Sequence, residues 1–149
     1  MVEHLNDHSN IVGLKDASTN TGYLLSILNR CGDRLDVFAA SSHISLSVMM
    51  IGGKGWLAGP ACITPSQSAE LYRLCLAGDW HKARELQCGL WSVNQIFERC
   101  GLAACIKAAL ELQGCLVGNP ILPLAPLDAE ARKLIGKVLA DIESGRLPS

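Results

Sequence analysis

The sequence predicts an α/β fold, with parallel strands and crossover helices first and helices alone afterwards. Three observations carry that prediction. Three short apolar runs, "IVGL" (Ile11–Leu14), "VFAA" (Val37–Ala40) and "GWLAG" (Gly55–Gly59), lack the polar–apolar alternation of strands that face water on one side. Segments of helical periodicity separate them, so consecutive strands must be joined by crossovers. Beyond Gly59 the apolar residues recur only at helical spacing.

Each element has its own justification. In "NTGYLLSILNRCGD", Tyr23, Leu24, Ile27, Leu28 and Cys31 fall on one helical face, and Gly32 provides a stop. "SSHISLSVMMIGG" reads as a shorter helix, with Ser41 or Ser42 as N-cap and Gly52-Gly53 at its end. Pro65 suits a helix's first turn, and Leu71, Leu74 and Cys75 continue that helix toward Gly78. From Trp80 a longer helix is expected, with Ala83, Leu86, Leu90, Val93 and Phe97 on one stripe. "GLAACIKAALELQG" forms another between glycines. "NPILPLAPLD" is an extended connector, because residues that precede proline are steered out of the helical region. Asp128 then caps a last helix, whose Ala131, Leu134, Ile135, Val138 and Ile142 face inward.

Composition narrows the function classes. Of the 149 residues, 49% are apolar and 18% charged, enough for one domain with a real core. Thirteen basic against fourteen acidic residues give a net charge of −1, and no block of like charge offers a footprint for nucleic acid or an anionic membrane. The seven cysteines are irregularly spaced, without a Cys-x-x-Cys pair, and the four histidines do not stand at zinc-ligand spacing beside them. Most of these cysteines lie in apolar helical runs, so a reducing compartment without structural disulfides and with no metal site is expected. "MVEHLNDHSN" lacks the apolar core of a secretion signal and no run is long enough to span a membrane, so the chain reads as cytoplasmic.

Lys15 is the residue that asks for chemistry. In "NIVGLKDAST" it follows an apolar strand, either as a solvated charge just past the strand end or as a buried amine kept for reaction. Asp16 and Ser18 border the same position or cap the next turn. "GGKG" (Gly52–Gly55) lacks the Lys-Ser/Thr ending of a phosphate loop and reads as a tight turn into a strand. Lys107 should snorkel to the surface, His43 should cap or face solvent, and Trp56, Trp80 and Trp91 should pack wall and helix interfaces.

"NIVGLKDAST", "GGKGWLAGPACITP", "LYRLCLAGDWHKARELQ" and the segment ending in "GNPILPLAPLD" together resemble the C-terminal half of the dihydrodipicolinate synthase / N-acetylneuraminate lyase superfamily. The resemblance runs from about Asn10 to Ile142. It implies part of a (β/α)8 barrel, strands six to eight with their helices in residues 1–64, followed by the last barrel helix and a helical extension in residues 65–149. It implies that Lys15 forms a Schiff base with pyruvate or a related 2-keto acid. An amine attacks a carbonyl only when unprotonated, and burial disfavours the charged form. It further implies that the Leu57 carbonyl and Ala40 border the bound keto acid, with no cofactor and a homo-oligomeric assembly.

Departures from the family pattern are equally specific. Ala40 stands for a glycine, Ser41-Ser42 for an acidic pair and Cys62 for an asparagine, which points toward a hydroxy-2-keto acid or a sugar-derived one. The family's proton-relaying tyrosine, its carboxylate-binding Thr/Ser motif and its Gly-x-x-Gly-Glu segment belong upstream of Asn10. A barrel needs at least about 200 residues. Two expectations follow: half of a Schiff-base lyase that is inactive alone, or a non-catalytic barrel fragment that self-associates or pairs with another chain.

Overall fold

Leu14, Val37 and Ala39 anchor a three-stranded sheet in the order β1 (Gly13–Asp16), β2 (Asp36–Ala39), β3 (Gly55–Trp56), with both pairings parallel. The computed structural model describes residues 2–5 and 7–145. A short α1 (Val2–Leu5) precedes the sheet, and α2 (Thr21–Cys31) and α3 (Ser45–Met50) make the crossovers. Asn20 caps α2, its Oδ1 accepting from the Tyr23 amide at 2.9 Å, and α2 stops at Gly32.

The first strand begins two residues later than its apolar run suggests, so Lys15 lies inside β1 opposite Phe38. The ladder explains the shift: Asp36 N–H donates to Val12 C=O at 2.9 Å, and Ala40 N–H to Asp16 C=O at 2.8 Å. The expected N-cap of the second helix is also displaced. Ser42–Ile44 form a 3-10 turn, neither Ser41 nor Ile44 makes a side-chain cap, and the Ser42 hydroxyl is committed to Asn94 instead.

Five helices follow: α4 (Pro65–Leu76), α5 (Trp80–Gly89), α6 (Trp91–Cys100), α7 (Leu102–Leu112) and α8 (Ala129–Glu143). The single long helix expected from Trp80 is two helices that meet at Leu90. Gly89 is a weak helix former, and the Asn94 side-chain amide donates to the Leu90 carbonyl, which accepts the Val93 amide as well. Asp128 caps α8 as expected, with Oδ1 accepting from Ala131 N–H at 2.8 Å. An Arg132–Glu111 ion pair of 2.9 Å joins α8 to α7.

The core falls into three clusters. Leu24, Ile27, Cys31, Leu35, Val37, Ala39 and Val48 fill the space between the sheet and its two crossover helices. Ile63, Leu90, Val93, Ile96, Phe97, Cys105 and the Ile135–Leu139–Ile142 stripe of α8 form the helical core. Leu71, Cys75 and Ala83 make a smaller cluster, and Trp56 packs against both it and the sheet cluster. Trp80 and Trp91 are more exposed than the expected interface role requires.

Candidate functional site

Alternation along β1 decides where Lys15 points. Leu14 and Asp16 are half-buried, and Leu14 packs into the cluster beneath α2, whereas Gly13 and Lys15 are exposed. In the register, Lys15 is level with Phe38 and Phe38 with Gly55, so these three share the sheet face opposite the crossover helices. Phe38 stretches across that face, close to both Gly13 and Gly55. The buried amine expected from the resemblance is therefore not what these residues build: Lys15 is solvent-exposed. The physical reason is that α2 and α3 pack against the face that Leu14, Val37 and Ala39 share, and Lys15 stands on the other, which is open at β1 but closed at β3, where Gly55 is buried beside Tyr72 of α4.

The three candidate residues do gather at one place, the C-terminal edge of the sheet. Ala40 follows β2 and hydrogen-bonds to the end of β1, and Leu57 follows β3, its N–H donating to Ala39 C=O at 2.8 Å. Ala40 is half-buried, and Leu57 is 55% exposed. Asp16 and Ser18 take the capping alternative. Asp16 Oδ2 accepts from the Ser18 hydroxyl at 2.6 Å and from its amide at 3.2 Å, and the Ser18 oxygen accepts from Asn20 N–H at 3.2 Å. These links lead into the α2 cap and hold Thr19 at φ 59°, a left-handed conformation uncommon for threonine.

The glycines of "GGKG" serve the approach of β3. A Cβ on Gly53 would lie 2.3 Å from Val48 Cγ1 and 2.9 Å from the Val48 carbonyl, so only glycine lets the chain pass α3.

One supporting group was not foreseen. Behind the loop that follows β2, Ser42 donates to the Asn94 side-chain oxygen. Gln87 Nε2 donates to Ser42 C=O at 3.0 Å, and the Ser45 hydroxyl donates to Gln87 Oε1 at 2.6 Å. Ser45 and Asn94 are buried, so helices α5 and α6 hold the loop beside Ala40 through satisfied polar contacts. The sequence signal was two amides seven residues apart, flanking an apolar stripe. His43 of the same loop meets Trp91 edge-to-face at 6.2 Å.

A depression of about 990 Å³ lies elsewhere, between the α6–α7 turn and the start of α8, and includes none of the three candidates. Lys107 carries its ammonium to the surface, as expected, and there donates to the carbonyls of Val117 (2.8 Å) and Gly118 (3.4 Å), tying down the connector 113–128. Among the described residues no group of acidic, histidine or cysteine side chains is arranged to hold a metal ion, and no helix is long and apolar enough to cross a membrane.

Comparison with known proteins gives a consistent result. A 4-hydroxy-tetrahydrodipicolinate synthase from Halorhodospira halophila is 32% identical over 140 residues, which cover 94% of this chain and 47% of that protein. The crystal structure of dihydrodipicolinate synthase DapA-2 from Bacillus anthracis superposes with a TM-score of 0.88 at 27% identity, covering 93% of this chain and 48% of that one. A prophage protein of the dihydrodipicolinic acid synthase family from E. coli K12, solved in complex with pyruvate, shares the fold with a TM-score of 0.86 at 24% identity, over 95% of this chain and 50% of its own. The chain thus spans about half the length of the relatives it matches. The sheet with its helical tail, the clustered strand ends and these likenesses converge with a family model matched over residues 1–142: the chain belongs to the dihydrodipicolinate synthetase family.

Proposed function

We propose that this chain carries the Schiff-base half of a lyase or aldolase acting on pyruvate or a related 2-keto acid, with strands corresponding to six, seven and eight of a (β/α)8 barrel. The observation that supports it most is the placement of Lys15 within β1, level with Phe38, on the face that is open at β1 and at the C-terminal edge where barrel enzymes keep their chemistry. The unprotonated amine adds to the keto carbon, water leaves, and a C=N bond replaces C=O. The protonated imine then accepts the electron pair released when an adjacent C–H or C–C bond breaks, leaving an enamine. Leu57 offers its backbone carbonyl and Ala40 its methyl to the walls of the pocket.

Turnover in this reading needs residues from a further chain segment that covers the exposed face and desolvates the amine. Two observations support such a covering partner: Leu57 exposes 55% of its surface beside that face, and Leu116 in the connector exposes 91%. By itself the chain is inactive as a lyase, and it associates through this surface.

Incubation with pyruvate and borohydride, followed by intact-mass analysis and peptide mapping, tests the assignment. With the covering segment in place, a reduced pyruvyl adduct should form at Lys15 ahead of every other lysine, and Lys15→Ala should lose it. An adduct spread evenly over the lysines, or retained in the variant, would sink the Schiff-base role.

A further inference from the structure

A small polar cavity lies behind the loop that follows β2 and includes none of the three candidate residues. Ser42 of that loop, Thr64 and Ser68 at the start of α4 and Asn94 of α6 line it, against apolar walls that include Leu71 and Val93. Its volume, about 10 Å³, is the room that one water molecule needs. Thr64 and Asn94 are buried, so their polar atoms must find partners inside the protein. Asn94 Oδ1 accepts from the Ser42 hydroxyl, and one Nδ2 hydrogen goes to the Leu90 carbonyl at 3.3 Å. A carbonyl can only accept, so Nδ2 must face Leu90 and Oδ1 must face Ser42. Among the described residues the second Nδ2 hydrogen has no acceptor. The Thr64 hydroxyl turns back to the Pro60 carbonyl at 3.1 Å instead of capping α4, which leaves its oxygen able to accept. Ser68 is half-buried, and its hydroxyl has no protein partner among the described residues.

We propose that this cavity is the binding site of one ordered water molecule, which joins α6 and the start of α4 behind the loop beside Ala40. The water accepts from the second Nδ2 hydrogen of Asn94 and donates to the oxygens of Thr64 and Ser68. Three such bonds are the usual number for a buried water. No charged side chain lines the cavity, so it suits a neutral occupant that both donates and accepts rather than an ion. The apolar walls offer no competing partner, and the water stays where the three polar groups converge. Through Ser42 and Asn94 the loop is thereby referred to α4 as well as to α5 and α6, which hold it directly.

Crystals of the chain, at a resolution that shows ordered solvent, should hold one solvent peak within about 3.2 Å of Asn94 Nδ2, Thr64 Oγ1 and Ser68 Oγ. In solution, the Asn94 side-chain amide of the nitrogen-labelled chain should show cross-relaxation with water. Its sign should be that of a long-lived bound molecule, opposite to that of surface hydration. Thr64→Val keeps the shape of the side chain and removes its oxygen, and the cross-peak should fall severalfold. Direct contact of Asn94 Nδ2 with Thr64 or Ser68, with no solvent peak between them, would overturn the proposal. So would a cross-peak of unchanged intensity in the Thr64→Val chain.

Discussion

Gly53 shows how much can rest on one missing methyl group. Its would-be Cβ meets Val48 Cγ1 at 2.3 Å and backbone at 2.9 Å, so Gly53→Ala forces α3 and the entry to β3 apart. A loss of about 1–3 kcal/mol in denaturant unfolding is expected, in line with overpacking at tight sites. Asn94 is buried and serves both Ser42 and the Leu90 carbonyl. Asn94→Ala should cost about 1–3 kcal/mol, since it strands partners that cannot reach water. Cys105 gives a pH signature of known sign. Its thiol holds its proton more tightly folded than unfolded, so the stabilisation is complete below pH 9.0 and is lost as the pH rises toward about 11. Melting temperature should therefore fall more steeply between pH 9 and pH 11 in the native chain than in Cys105→Ala. Equal slopes would remove this residue from the account. Lys15 belongs at this scale too: its identity was legible from ten residues, whereas its exposure was set by which face the helices cover.

Among the elements, α8 was readable in its position and its facing because cap and stripe agree. Asp128 supplies the cap, Ile135, Leu139 and Ile142 the buried face, and only Leu139 was missed on that stripe. Asp128→Ala should lower stability by about 1 kcal/mol in a chemical denaturation series, and Asp128→Asn should recover most of it. The helix expected from Trp80 onward was the opposite case. Its apolar stripe runs unbroken through Leu90, yet the backbone divides there into α5 and α6. Periodicity reports which residues face inward and is silent about a bend that keeps them facing inward. The strand β1 was displaced for a related reason. Apolar identity located the run, but the hydrogen bonds from Asp36 and Ala40 chose which residues enter the ladder.

At the scale of the whole molecule, buried and exposed apolar surface are unevenly divided. Leu24, Val37 and Leu71 are sealed, while Leu57 lies open at the C-terminal edge of the sheet and Leu116 and Leu122 along the connector. Patches of this kind mark contact surfaces. The isolated chain should therefore show a weight-average mass that rises with concentration in sedimentation, and replacing Leu116 and Leu122 by serine should reduce the rise. A monomer across the whole range would count against the covering role of that surface. By itself, the sequence determined the order of elements, the parallel sheet, the helical tail and the family, because hydrophobic period, caps and a few spaced motifs are local or pairwise features. Only the tertiary structure decided that Lys15 is exposed and that the loop beside Ala40 is held by Gln87 and Asn94. Each of these depends on which faces are covered and on contacts between elements that the chain brings together only when it packs.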